Sequence, residues 1–341
     1  MINRMSTNQV HLSSLNVILE AQARLQRTQE ELASGKRILS PSDDAVATAQ
    51  IMQIQSELSR VETFQRNIST ARSDLAFTES TVTGVEDVLM RARELAVRAN
   101  SATMTTQDRA IIADEIDGLR EQLLSLSNTK TARGEYLFSG FASSAQAFAE
   151  TPDPTYDDEW FELDNGVFVD TSYLGSRQYQ GDAGERSVNI APGMTMSTRF
   201  NGQSVFGTTV FDAESSELNA FEALTLMSNA IRGSEPSPPE GLGSAVMDDT
   251  RELIPEGLEA IDAALDRVSS IRTDIGVKLN RLDDQQLLND TFNVKLQETM
   301  SDLEDLDYAK AITEMNLRMV ALEAAQQAYT KTQGLSLFNY L

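Results

Sequence analysis

Residues whose types suit chemistry are sparse in this 341-residue chain, and their spacing limits what they can do. Asp153, Asp157, Asp158, Glu159, Glu162 and Asp164 form an acidic run with no basic residue between them. Paired carboxylates bind calcium or perform acid–base work. Here Pro152 and Pro154 interrupt the run and no glycine stands at the sharp turn of a calcium loop, so a solvated surface loop is expected. Ser40-Pro41-Ser42-Asp43-Asp44 sets serines beside acids, but the single histidine, His11, lies far away near the N-terminus. A serine nucleophile needs an adjacent base. A helix start fits better: proline suits the first helical position, Ser40 or Ser42 accepts from free backbone N–H groups, and the aspartates favour the positive helix end. Gly134-Glu135-Tyr136-Leu137-Phe138-Ser139-Gly140 lacks the spacing of a phosphate loop and reads as a helix stop followed by a first strand.

Composition narrows the classes further. The chain has no cysteine, which removes disulfides, thiolate metal sites and thiol nucleophiles together. No catalytic, cofactor-binding or metal residue is expected, and an enzyme would have to rest on carboxylates that no motif places. A formal charge of −24 repels phosphate backbones and anionic lipid, so nucleic acid and membrane are poor partners. No window approaches the roughly 18 consecutive apolar residues of a membrane span, and no basic-then-apolar signal peptide opens the sequence. Export, if it occurs, is expected by another route.

The elements that must position these residues are mostly helices. Val61, Phe64, Ile68, Ala71, Leu75, Thr78, Val82, Val85, Leu89, Ala92 and Ala96 alternate steps of three and four, a sustained heptad seam. Ile54, Val61, Ile68, Leu75, Val82 and Leu89 keep a strict seven-residue interval, which implies a long helix supercoiled with its neighbours. Ile112, Ile116, Leu119, Leu123 and Leu126 repeat the pattern behind Thr105 and Asp108, spaced as a capping box. Leu258, Ile261, Leu265, Val268, Ile275, Leu279 and Leu282 give another seam, with Arg272 at one seam position and Pro255 near its start. At the two ends, Leu15, Ile18, Gln22, Leu25, Gln29 and Leu32 match Ile312, Met315, Met319, Leu322, Gln326 and Tyr329 in spacing, with a stutter or hinge at 300–310. Such seams predict helices that are weak alone and firm when paired, because burying a leucine gains roughly 1.5–3 kcal/mol against roughly 1–2 kcal/mol of ordering entropy per residue. Leu335, Leu337, Phe338 and Leu341 extend the last one as an apolar tail.

Between 141 and 215 the texture changes. Asp164-Asn165-Gly166, Pro192-Gly193 and Asn201-Gly202 punctuate short runs such as Trp160–Leu163, Val167–Val169 and Ser187–Ile190, the pattern of β-hairpins. A short helix at 217–232 and a Pro/Gly/Ser linker follow. The expected fold is mainly α with a β insertion: a long-helix coiled-coil bundle formed by the N- and C-terminal segments, plus a small central β domain. Its expected parts are a terminal coiled coil from 1–40 and 303–341, mobile in the monomer, a bundle from 41–140 and 245–302, and the β-rich domain at 141–244.

Particular residues add a resemblance. Arg4-Met5-Ser6-Thr7-Asn8-Gln9, Leu32-Ala33-Ser34-Gly35-Lys36-Arg37-Ile38-Leu39-Ser40-Pro41-Ser42-Asp43-Asp44 and Arg93-Glu94-Leu95-Ala96-Val97 stand on one side of the chain. Asp305-Leu306-Asp307-Tyr308-Ala309-Lys310-Ala311-Ile312 and Ala324-Ala325-Gln326-Gln327 through Leu341 stand on the other. Together they resemble the flagellin family, and within it the branch at the hook–filament junction, although three residues precede Arg4 where close relatives begin almost directly. The resemblance implies a structural protein of the bacterial flagellum, secreted through the flagellar type III export apparatus and extracellular thereafter. Its implied partners are hook-associated protein 1, flagellin, further copies of itself in a ring of about eleven, and an export chaperone at the C-terminal region. The family's paired terminal helices carry over to Leu15, Ile18, Leu25 and Leu32 with Met315, Met319, Leu322 and Tyr329, completed by the tail. Alternatives are a filament-forming flagellin and a cytoplasmic coiled-coil module that recruits partner helices.

Overall fold

The computed structural model describes residues 7–101, 103–150, 160–162, 168–170, 177–208, 218–234 and 253–334. Three long or paired helices open the chain: α1 (Thr7–Ser34), α2 (Ala45–Ala99) and α3 (Thr106–Ser127). Six short strands follow, β1 (Phe148–Glu150), β2 (Trp160–Glu162), β3 (Phe168–Asp170), β4 (Arg177–Tyr179), β5 (Ser187–Ala191) and β6 (Met194–Ser197). The chain returns through α4 (Gly202–Phe206), α5 (Ala220–Arg232), α6 (Ile254–Glu304) and α7 (Tyr308–Gly334). The fold is therefore mainly α with a small β insertion. None of the described helices is long and apolar enough to cross a membrane.

Local chemistry sets the helix ends. Thr105 and Asp108 close a reciprocal capping box on α3, and Asn219 with Glu222 does the same for α5. Gly233 ends α5 in the left-handed conformation at φ +81°. The strands pair as three antiparallel two-stranded sheets among the described residues: β1 with β4, β2 with β3, and β5 with β6 around Pro192-Gly193. The Asp164-Asn165-Gly166 turn lies outside the described residues, as does the acidic run apart from Glu162 in β2.

By its contacts the chain forms two compact units, Met1–Glu62 with Asn289–Leu341, and Thr63–Leu288. The boundaries expected at 40 and 303 fall inside the first. In the second, one core takes Leu75, Val82 and Leu89 from α2, Ile112, Ile116 and Leu123 from α3, and Ile261, Val268 and Ile275 from α6. Phe138, Phe148, Phe206 and Phe221 join it, with ring centroids 4.9 to 5.8 Å apart along the cluster. The sheet region is thus rooted in the same core as the helices.

The first strand expected within Gly134–Gly140 does not form: Tyr136 makes only an isolated antiparallel bridge to Lys130, among turns and bends. The backbone there is satisfied irregularly. Leu137 N–H donates to Thr129 O at 2.9 Å, Tyr136 N–H to Ser143 O at 2.9 Å, and Phe138 O accepts from Gly202 N–H at 2.7 Å and the Tyr179 hydroxyl at 2.8 Å. Glu135 holds the turn to the strand side through Arg186 at 3.1 Å and the buried Arg199 at 2.5 Å. The Arg199 guanidinium keeps the Glu135 carboxyl below its ordinary range, against the opposing effect of burial.

Candidate functional site

In the first unit α1 packs on α7. Ile18, Leu25 and Leu32 on α1, and Met315, Leu322 and Tyr329 on α7, are half-buried as the seven-residue interval requires. The intervening positions differ from expectation. Gln22, Gln29 and Gln326 are exposed, Leu15 is 40% and Met319 38% exposed, and Ile312 also faces outward. Ser14, Ala21 and Thr28 complete the stripe on α1, and Ala311, Arg318 and Ala325 complete it on α7. Both stripes are therefore shifted by one residue from the sequence reading, from three to four positions before each large residue. Either spacing satisfies a helical period. Small residues on the four-position side let two backbones approach, and the larger Leu15 and Met319 then stay outside. Leu335, Leu337, Phe338 and Leu341 lie outside the described residues.

Arg318 carries polar contact across this seam. Arg318 Nη1 donates to the Arg24 carbonyl at 2.8 Å and to the Thr28 hydroxyl, while Nη2 reaches Glu314 at 2.7 Å. Thr28 is 1% exposed and donates its own hydroxyl to Arg24 O at 3.0 Å. Beside this contact lies a cleft of about 180 Å³ lined by Val17, Glu20, Ala21, Arg24, Arg318 and Ala321.

A knot of backbone and charge closes the pair where both helices end. Lys36 and Asp305 form an isolated antiparallel bridge; Arg37 N–H donates to Glu304 O at 2.8 Å and Leu306 N–H to Gly35 O at 2.9 Å. The Lys36 ammonium meets the Glu304 carboxylate, and Arg37 donates to Leu303 O at 2.9 Å. Beneath them Ile38, Ala47 and Ile51 pack with Met300 and Leu303. Acids rather than serines organise the start of α2. Asp44 accepts from Ala47 N–H at 2.9 Å, whereas the Ser40 and Ser42 hydroxyls bond each other at 2.8 Å. Asp43 instead accepts from Ser40 N–H at 2.9 Å, Leu39 N–H at 3.1 Å and the Arg27 guanidinium at 2.7 Å. The Ser40 N–H above all, with Leu39 and Arg27, holds its carboxyl below the ordinary range despite burial. The expected hinge at 300–310 is this knot: α6 stops at Glu304 and α7 restarts at Tyr308, where Asp307 accepts from Lys310 N–H at 3.2 Å.

Beyond the seam the pair is apolar on its outer faces. Leu12, Val17 and Leu19 on α1, and Leu317 and Val320 on α7, are all more than half exposed. Large apolar side chains left exposed in this number suit a surface that another chain covers. On α2, by contrast, Ile68, Leu75, Val82 and Leu89 are buried in the core of the second unit, with Val61 and Phe64 half-buried before them. Arg272 at its seam position pairs with Glu86. The arrangement offers surfaces and joints rather than a reacting centre, and no group of three potential metal ligands occurs among the described residues.

Comparison with known proteins covers both helical ends of the chain. The bacterial flagellin N-terminal helical region matches residues 5–143, and the bacterial flagellin C-terminal helical region matches 258–341. Flagellar hook-associated protein 3 of Escherichia coli strain K12 is 28% identical over 342 residues, covering 98% of each chain. That of Salmonella typhimurium strain LT2 is 24% identical over 343 residues, again 98% of each. The crystal structure of flagellar hook-associated protein 3 from Legionella pneumophila aligns with a TM-score of 0.57 at 17% identity, over 74% of this chain and 98% of that one.

Proposed function

The chain belongs to the flagellin family, and from that premise we propose that it is the structural adaptor joining the flagellar hook to the flagellin filament. The observation that carries this reading is the match to hook-associated protein 3 along 98% of both chains, β insertion included. In this reading the protein works by assembly and without catalysis. It leaves the cell through the flagellar export apparatus, with a chaperone on its C-terminal region, and is extracellular in place. There it stacks between hook-associated protein 1 and the first flagellin as a ring of about eleven copies. The paired ends, with Ile18, Leu25 and Leu32 against Met315, Leu322 and Tyr329, with Leu15 and Met319 outside the seam, and with the tail of Leu335, Leu337, Phe338 and Leu341, become firm when neighbouring subunits cover their outer faces. The apolar exposure of Leu12, Leu19 and Leu317 supports that step.

Deleting the gene is expected to leave hooks in place while flagellin is shed into the medium. Retained filaments would overturn the junction reading. A second reading, a filament subunit, is favoured by the flagellin regions matched at both ends. Growth of the purified protein into long filaments on seeds would select it, whereas short caps or rings support the adaptor. Retention in the cytoplasm of cells with an intact export apparatus would instead point to an intracellular coiled-coil module.

A further inference from the structure

We infer that Arg318 sets the register in which α1 lies on α7. This assignment rests on the geometry of the helix pair and not on the junction reading. Apolar seam positions specify register poorly, because a slide of one heptad replaces each large residue by another of the same kind. Ile18, Leu25 and Leu32 would still meet Met315, Leu322 and Tyr329 in part. A donor in the seam breaks that degeneracy when only one register supplies its acceptors.

That condition holds here. The guanidinium finds two acceptors on α1, the Thr28 hydroxyl and the Arg24 carbonyl. The carbonyl is presented because Thr28 also bonds it from four residues on, which tilts it away from the helix axis. A heptad slide in one direction sets Arg318 opposite Ala21, which has no side-chain acceptor. A slide in the other sets Gly35, past the end of α1, in place of Thr28, and in place of Arg24 it sets Glu31, whose carboxylate is already held by Arg27. The wrong registers are costly because the guanidinium forfeits both of its bonds to α1 and keeps only Glu314 on its own helix.

The absence of cysteine permits a direct test in the full chain. Ala21 and Ala321 line one cleft and report the native register; Ala21→Cys with Ala321→Cys should join through a short bifunctional thiol reagent. Ser14→Cys with Ala321→Cys and Ala21→Cys with Ala328→Cys report the two heptad slides. With Arg318 present, only the native pair is expected to cross-link. In Arg318→Met, which keeps length and apolar contact, at least one slid pair should rise to within about twofold of the native yield. Arg318→Lys keeps a charged donor and should hold the native pattern. Confinement of Arg318→Met to the native pair would overturn the assignment. So would absence of the native cross-link in the parent chain, which removes the helix pair itself; neither result depends on whether deletion strains lose their filaments.

Discussion

Gly35 takes φ +72° where α1 runs into the knot, and a Cβ there would stand 2.8 Å from the Tyr308 hydroxyl. Tyr308 is more than half exposed and can swing aside, so the left-handed backbone is the larger obstacle. Gly35→Ala should destabilise the terminal pair by about 1–2 kcal/mol in urea unfolding, and most of that loss should persist in a Tyr308→Ala background. Asp43 makes a pH prediction. Its carboxyl is depressed in the folded chain, so its contribution is complete above the ordinary aspartate value of about 3.9 and is lost as pH falls through the depressed one. Asp43→Asn should remove that acid-limb loss from the exchange protection of residues 35–47, and an unchanged acid limb would refute the role. The helix start at Ser40–Asp44 was legible as a cap signal, because proline and acids cluster there. Which oxygen caps was not, since serine and aspartate are nearly equal N-caps and only the fold determines which carboxylate reaches Ala47.

Among elements, α2 was the most legible, because its apolar residues return every seven positions through ten turns and leave one face to bury. Leu75 is fully buried on that face, and Leu75→Ala should cost about 2–5 kcal/mol in chemical denaturation. The terminal seam was legible only in half. Its large residues are unambiguous, but each has candidate neighbours three and four positions earlier, and the sequence favours the bigger side chains. The fold favours the smaller ones at four positions, Ala21 and Thr28 against Ala311 and Ala325, since close helices need room, and Arg318 is the exception, reaching across to α1. Gln22→Ala and Gln29→Ala should therefore change stability by less than about 0.5 kcal/mol, whereas a glutamine inside the seam would have moved it further. The missing strand within Gly134–Gly140 has a similar origin. Leu137 and Tyr136 bond nearby Thr129 and Ser143, but the partners of Phe138, Gly202 and Tyr179, are far along the chain, and local pattern carries no information about them.

At the scale of the molecule, the outer faces of the α1–α7 pair separate folding from assembly. Leu19→Asp with Leu317→Asp should leave the melting of the isolated chain within about 0.5 kcal/mol of the parent. The same double variant should shed flagellin from otherwise normal hooks in a deletion strain. A large loss of stability would mean these residues pack within the chain. Two of the motifs that made the family legible, Leu32–Asp44 and Asp305–Ile312, meet in the fold at the knot. Their purpose was not legible, because the Lys36–Asp305 bridge joins residues 269 positions apart. That separation also has a consequence in time. A ribosome completes α1 long before α7 exists, and the Arg318–Thr28 contact must wait for 290 residues of synthesis. Any chain broken between them, wherever the break falls, presents an α1 that has nothing to lie on. The joining of the two ends thus reports that everything between them was made, and a growing flagellum that accepts only closed pairs would reject any copy cut short within that span without inspecting what is missing.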